Sequence, residues 1–387
     1  MSERSSFQVT HRDGAARAGE LQTPHGRVQT PAFAPVGTRG AVKAVTHRDL
    51  LGLGVEMILA NTYHLHLRPG APLVGRAGGL HRFIGWDRPI LTDSGGYQVF
   101  SLGDRRRIDE DGVSFRSHLD GSLQRLTPES ASDIQAQLGS DIAMVFDECA
   151  SYPVSEAEAR NSMERTLRWA RRGRRRFLDT GEHPSSLEGE VTNAGQAQFG
   201  IVQGGVYKAL RDESARETVS IGFDGFAIGG LSVGEPTEVM YDVVEHTTPM
   251  LPDNRVRYLM GTGMPDDLVE CVARGIDLFD CVLPTRNARN GQLLTQHGPI
   301  SIKQAQFAED HRPPDPECAC YTCRRFSRAY LRYLFVAGEM TASTLNTLHN
   351  IHFYLDTMRR IREAIVLGSF DTFRQRFHET FSRRPRA

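Results

Sequence analysis

Ile142-Ala143-Met144-Val145-Phe146-Asp147 is five apolar residues followed by a carboxylate. A run that is apolar at consecutive positions reads as a strand buried on both faces, the kind found in parallel sheets. Two other stretches repeat the arrangement: Pro89-Ile90-Leu91-Thr92-Asp93, and Leu278-Phe279-Asp280. An aspartate at the carboxyl end of such a strand sits on a rigid element at the rim of a loop. Repetition of that arrangement describes an active site at one end of a parallel barrel.

Working outward, the candidate strands are Ala41–Val45, Val55–Ala60, Pro89–Thr92, Ile142–Phe146, Phe199–Gln203, Gly225–Gly229, Val256–Met260 and Leu278–Leu283. Helical stretches with start signals separate most of them. Thr127-Pro128-Glu129 offers an N-cap with proline in the first turn, Ser155 and Glu158 are spaced as a capping box, and Pro265-Asp266-Asp267 puts proline and acids where the helix dipole favours them. Strand–helix alternation at this count predicts an α/β fold, a (β/α)8 barrel, with a doubly wound open sheet as the alternative. Residues 6–35 read as short strands and turns, and Arg105–Gly121 as a polar hairpin. Residues 181–196 read as a surface loop, and a segment from about 287 to 350 delays a last helix near Ile351–Leu367. The expected division is therefore 1–35, N-terminal strands; 36–286, barrel; 287–350, insertion; and 351–387, last helix and tail.

The chain has 387 residues, 37 glycines and a formal net charge of -1, which suits a single large α/β unit and carries no global attraction for polyanions. No stretch approaches the roughly 20 apolar residues of a membrane span. Met1–Gln8 has no signal-peptide core. Three of the six cysteines crowd into Cys318-Ala-Cys320-Tyr-Thr-Cys323, a poor disulfide framework and a good metal one. The reading is an intracellular, cytoplasmic protein. Three thiolates with one histidine make a closed tetrahedral zinc set that staples structure and does no chemistry. His349, His311 and His352 compete for the fourth position on spacing.

The strand ends collect a second pattern. They carry Asp93-Ser-Gly-Gly-Tyr97-Gln98, Asp147-Glu-Cys149, Gln203-Gly-Gly, Gly229-Gly230-Leu231, Met260-Gly-Thr-Gly, and Asp280. Glycines let a flat ligand approach bare backbone. Gln203 donates and accepts in one plane, Asp147 accepts from paired N–H groups, and Tyr97 and Met260 suit the two faces of a ring. Together they predict a purine-like base pocket. Asp93 and Asp280 remain for cleavage at an anomeric carbon, where one group attacks and one moves a proton. Arg286 and Arg289 follow Asp280 and suit flanking phosphates. The arginine-rich run 168–176 reads as one solvated helical face, while Lys303, Arg324, Arg325 and Arg328 extend a basic surface near the cysteines.

The segments TDSGGYQVFSL, FDEC, GIVQGG, AIGGLSVGE, YLMGTG and GIDLFDCVLPTRNARNG, with the CxCxxC…H set, resemble the queuine tRNA-ribosyltransferases, the bacterial tRNA-guanine transglycosylases, over nearly the whole chain. The resemblance implies a barrel with a zinc subdomain inserted between the eighth strand and eighth helix. It implies exchange of the wobble guanine of GUN-anticodon tRNAs for 7-aminomethyl-7-deazaguanine, with no cofactor in the chemistry. Asp280 matches the nucleophile and Asp93 the general acid/base. Asp147, Gln203, Gly230, Leu231, Tyr97, Met260 and Cys149 match the base-binding set, and Arg286 and Arg289 the anticodon-loop contacts. Cys318, Cys320, Cys323 and His349 match the zinc ligands. Cys149 and Val233 resemble the bacterial sub-type. Met264 departs from its usual lysine, which puts a basic contact there in doubt, and the chain's end soon after the last helix reads as leaving no room for the archaeal enzyme's extra RNA-binding domains. Phe83, Phe326, Tyr330 and Tyr333 resemble the aromatics of a homodimer interface. Competing readings are a hydrolytic nucleosidase and a non-catalytic RNA-binding partner subunit.

Overall fold

A computed structural model describes residues 5–100, 106–187 and 189–381. Eight strands form one wholly parallel sheet: β1 (Ala32–Pro35), β2 (Ile58–Ala60), β3 (Ile90–Thr92), β4 (Ile142–Met144), β5 (Ala197–Val202), β6 (Gly225–Ile228), β7 (Arg257–Leu259) and β8 (Leu278–Cys281). Each pairs with its neighbour in chain order, β8 returns to pair with β1, and a single bridge between Val36 and Leu59 joins β1 to β2. That ring is the (β/α)8 barrel, and it excludes the doubly wound alternative.

One strand lies elsewhere than the sequence suggested. Ala41–Val45 is irregular, and the barrel begins with Ala32–Pro35, four residues that are all buried. Of residues 41–45 only Val42 is buried, so they lack the two-faced burial of a parallel strand. The barrel sheet thus starts ahead of the anticipated boundary at residue 36. The rest of residues 6–35 form an antiparallel three-stranded sheet, Ser6–Asp13, Ala16–Thr23 and Gly26–Thr30.

Local signals behave as chemistry requires. Thr127 and Ser155 cap the Pro128–Leu138 and Glu156–Glu182 helices through reciprocal side-chain and backbone hydrogen bonds. Each such cap is worth about 1 kcal/mol. Pro265 opens the Pro265–Ala273 helix. The expected hairpin gains a third strand: Arg106–Ile108, Val113–Arg116 and Leu123–Leu126 form one antiparallel sheet, while Ser101–Arg105 lie outside the described residues. The anticipated loop 181–196 is anchored at its far end, where Asn193 Nδ2 donates to the Ser140 carbonyl at 3.1 Å and Thr192 Oγ1 to that of Gln137 at 3.1 Å. The helix expected near Ile351–Leu367 is longer and runs Met340–Val366, so a boundary at 350 falls inside it, and a further helix, Phe370–Thr380, follows in the segment read as tail.

Opposite the rim, a second set of aspartates precedes the strands. Asp277, ahead of β8, takes the fully buried Arg17 of the N-terminal sheet at 2.8 Å and the Arg257 amide at 2.7 Å. Asp224, ahead of β6, takes Arg174 at 3.0 Å and the Gln198 amide at 2.9 Å. Asp141, ahead of β4, accepts from His25 at 2.8 Å, His81 at 2.9 Å and the Ile90 amide at 2.8 Å. The two imidazoles stack at 3.5 Å and 12° and bond to separate oxygens of the one carboxylate. Buried charge pairing at this end of the barrel serves stability.

The arginine run is not one solvated face. Arg168 pairs with Glu110, Arg171 with Glu217, Arg172 with Glu129, Arg174 with Asp224 and Arg176 with Asp133, tying the Glu156–Glu182 helix to several elements at once. Charge neutralised in this way offers little to a polyanion. No helix among the described residues is long and apolar enough to cross a membrane.

Candidate active site

The carboxyl ends of the strands enclose a cavity of about 460 Å³. Asp93, Tyr97, Asp147, Cys149, Gly230, Leu231, Met260, Asp280 and Arg286 all line it. Each follows or ends a barrel strand, except Arg286, which sits on the Leu283–Arg289 helix immediately after β8.

Asp93 is held by four donors. Asn61 Nδ2 at 2.5 Å and Gln98 Nε2 at 2.7 Å reach Oδ2, while the amides of Thr62 at 2.8 Å and Gly95 at 3.2 Å reach Oδ1. Those bonds favour the ionised form, yet burial outweighs them, and the nearby Asp280 adds to it; the carboxyl is pushed up to about 6. Asp147 behaves alike: Gln203 Nε2 donates to Oδ2 at 2.7 Å and Ser94 Oγ to Oδ1 at 3.2 Å, and burial raises it to about 6.

Asp280 is held asymmetrically. The Tyr258 hydroxyl at 2.5 Å and the Gly261 amide at 2.9 Å both donate to Oδ1, and Oδ2 accepts no hydrogen bond among the described residues. Burial raises its pKa, opposed by Tyr258 and then by Gly261. One carboxylate oxygen is fixed and the other is left for a ligand.

Gln203 does not line the cavity; it lies buried behind Gly229 and Gly230 with its amide against Asp147. A Cβ on Gly230 would meet Gln203 Oε1 at 2.4 Å, and one on Gly229 would meet Nε2 at 2.8 Å. Glycine at both positions is what lets the amide plane approach the wall. Tyr97 lines the cavity and is 53 % exposed, which leaves much of its ring open to a ligand. Burial pushes the Cys149 thiol up to about 12, which makes it a poor nucleophile.

Arg286 and Arg289 make no ion pair among the described residues, unlike the paired run 168–176; Arg289 lies one turn beyond the cavity with Nη1 buried and unpartnered. Arg324 and Arg325 are likewise without an acidic partner, whereas Arg328 pairs with Asp310 and Lys303 lies over the Phe335 ring. Sequence reasoning missed Asn61 and Tyr258, and gave Ser94 and Gln98, which it read in the motif after the third strand, no role. Asn61 had a signal, since it follows β2 as Asp93 follows β3; a strand tyrosine has none that separates it from core.

The metal-type cluster is assembled at the start of the Met340–Val366 helix. The thiols of Cys318, Cys320 and Cys323 lie 3.8, 3.5 and 3.3 Å from His349 Nδ1. Tetrahedral Zn–S and Zn–N bonds imply an S···N edge of about 3.6 Å. His349 Nε2 donates to the Leu294 carbonyl at 2.7 Å, which leaves Nδ1 as the lone pair facing the sulfurs. The donor set can bind a metal and is compatible with zinc. His352 reaches only Cys318, at 3.6 Å, and His311 is not in the cluster.

Known proteins resemble this chain along almost its full length. The family model described as queuine tRNA-ribosyltransferase matches residues 13–383. A protein named queuine tRNA-ribosyltransferase from Koribacter versatilis is 53 % identical over 95 % of this chain and 96 % of its own. Its namesakes from Moorella thermoacetica and Aromatoleum aromaticum are 51 % and 54 % identical, over 97 % and 96 % of this chain and 98 % and 97 % of theirs.

Proposed function

Because the chain belongs to the queuine tRNA-ribosyltransferase family, a family of pentosyltransferases, we propose the following course for its reaction. The enzyme is a tRNA-guanine transglycosylase of queuosine biosynthesis. Its substrates are the wobble guanine of tRNAs with a GUN anticodon and, as entering base, 7-aminomethyl-7-deazaguanine. Oδ2 of Asp280 attacks the ribose anomeric carbon as the bond to guanine breaks, giving a covalent glycosyl-enzyme. Asp93 gives a proton to the departing base and takes one from the entering base, whose ring nitrogen then attacks the same carbon and releases Asp280. Two displacements retain configuration and replace one base by another.

The observation that carries this reading is the asymmetry at Asp280, one oxygen bound and one open in a cavity shared with Asp93 and Asp147. A pKa near 6 suits Asp93 to holding a proton in one half-reaction and accepting it in the other. Asp147 reads the base edge, with Gln203 holding its carboxylate from behind the Gly229–Gly230 wall; the Gly230–Leu231 backbone supplies further polar contacts, and Tyr97 and Met260 cover the ring faces, with Cys149 at the wall. Arg286 and Arg289 take phosphates beside the flipped nucleotide, which an unstacked anticodon loop releases cheaply.

Cys318, Cys320, Cys323 and His349 would hold one structural zinc ion, which supplies a crosslink and no reactive chemistry. Two copies of the chain associate through a face that includes Phe83, Tyr330 and Tyr333, 41 %, 42 % and 65 % exposed, with Phe326 stacked on Tyr330 at 5.5 Å. The enzyme works in the cytoplasm, where its tRNA is.

The test is incorporation of labelled guanine into tRNA, together with trapping of a denaturation-resistant enzyme–tRNA adduct. Wild type gives both, and Asp280→Ala gives neither. An adduct that persists in Asp280→Ala moves the nucleophile elsewhere, and release of base with an abasic tRNA product would make the enzyme a hydrolase.

A further inference from the structure

The three clustered thiols are unequal. Cys320 and Cys323 are 2 % and 7 % exposed, whereas Cys318 is only half-buried and opens on a groove of about 690 Å³. The groove lies between the Cys318 loop, the Met340–Val366 helix and the Phe370–Thr380 helix, with Glu317, His352 and Arg376 among its walls. His352 Nδ1 stands 3.6 Å from Cys318 Sγ, and His349 Nδ1 stands 3.8 Å from it. The other three cysteines, Cys149, Cys271 and Cys281, are buried. Solvent therefore reaches one sulfur of the cluster, and that sulfur must be a thiolate when a metal is bound.

We propose that Cys318 is a peroxide-sensitive thiolate whose oxidation releases the metal and slackens the anticodon-binding arginines, with His352 as its guard. The inference rests on the zinc reading above. The thiolate attacks hydrogen peroxide, breaking its O–O bond to give Cys318 sulfenic acid and hydroxide. Sulfenic sulfur no longer ligates, and Zn2+ leaves. The thiol of Cys320 or Cys323, held with Cys318 in a cluster whose donor atoms all lie within 4.8 Å of one another, then displaces water to form a disulfide. Sulfur is oxidised by two electrons and peroxide is reduced. With its Nδ1 protonated, His352 donates to the sulfur, draws charge from a thiolate that metal binding already keeps deprotonated, and tempers its attack, so the guard slows the reaction.

The consequence travels along one helix. His349 is followed by Asn350, whose Nδ2 donates to the Pro284 carbonyl at 3.1 Å and to that of Gln292 at 3.0 Å, and Asn346 Nδ2 reaches the Ala288 carbonyl at 3.3 Å. Those carbonyls flank Arg286 and Arg289.

The experiment treats the full-length enzyme with hydrogen peroxide and follows zinc with a chromogenic chelator, while a sulfenic-acid probe and peptide mass spectrometry locate the oxidised cysteine. Expected results are zinc release in step with labelling at Cys318, no labelling at Cys149, Cys271 or Cys281, and reversal by thiol reductant with added zinc. His352→Ala, fully metallated beforehand, should release zinc several-fold faster. First labelling at Cys320 or Cys323, or zinc retained until the buried cysteines react, would overturn the proposal. So would an unchanged rate in His352→Ala. An enzyme with no zinc before treatment would overturn the zinc reading along with it, whereas zinc held against peroxide overturns the inference alone.

Discussion

The Tyr258 hydroxyl and the Asp280 carboxylate are 2.5 Å apart, and the bond falls on the same oxygen that takes the Gly261 amide. Tyr258 lies in β7 and Asp280 in β8, so the barrel's own hydrogen-bond ladder sets their separation. The hydroxyl favours the ionised carboxylate. Tyr258→Phe removes it, so the pKa of Asp280 rises and the acid limb of kcat/KM moves to higher pH. One lost bond to a charged group is about 1.5–3 kcal/mol, so kcat falls by about ten- to a hundredfold. A pH–rate profile indistinguishable from wild type would show that Tyr258 only packs.

Asp147 should be a site where function opposes stability. Its folded pKa of about 6 lies above the unfolded carboxylate value, so its ionisation disfavours folding at every pH above the unfolded value, increasingly up to about 6. Asp147→Asn removes that penalty. We expect the variant to gain about 1–3 kcal/mol of stability at pH 7 while its affinity for the base collapses. Urea denaturation and base binding by calorimetry check the two halves. A destabilised variant would mean the carboxylate is better solvated than its burial implies.

The Asp141 clamp gives the opposite sign. Hydrogen bonds from His25 and His81 overcome burial and hold the carboxyl at about 2, below its unfolded value. Its contribution is present above the unfolded carboxylate pKa and is lost as pH falls toward 2. The shared bond also raises His25, so that part is complete below the unfolded histidine value and fades as pH rises through the folded one. Wild-type stability should therefore exceed that of Asp141→Asn most between about pH 4 and 6, by about 3–5 kcal/mol for a broken buried pair. A flat difference across that range in denaturant titrations would refute the clamp.

Asn350 is fully buried and joins three segments, its Oδ1 accepting the Leu294 amide at 3.1 Å while Nδ2 reaches Pro284 and Gln292. Asn350→Ala leaves those backbone groups unpaired, at a cost of about 2–4 kcal/mol. KM for tRNA should rise more than KM for the base, because the helix it steadies carries Arg286 and Arg289. Equal changes in both would place the effect on global folding.

The sequence displayed the reactive end of the barrel because three buried strands each stop at an aspartate, a residue that chemistry tolerates there and packing does not demand. β1 escaped because Ala32-Phe33-Ala34-Pro35 is short, small and closed by proline, with little of the β-branched content that marks a strand. Tyr258 escaped because a buried aromatic in a strand is ordinary core until its hydroxyl's partner is known. The arginine run misled for a related reason. Its partners, Glu110, Glu129, Asp133 and Glu217, are remote in the chain, and spacing carries no record of them. Spacing also left the fourth metal ligand open. The imidazole was singled out by its orientation, fixed through Leu294.

The Met340–Val366 helix begins among the cysteines and ends against the barrel, with Tyr354 donating to the Gly263 carbonyl on the way. No seam exists at which the two regions could be cut apart and each keep a whole element. A truncated barrel would lose the side chains that brace its own rim, and the excised insertion would lose half of its longest rod. Whatever lineage supplied the insertion, the two now inherit damage jointly, and a lesion near residue 320 is felt at the mouth of the cavity without touching any atom that meets the base.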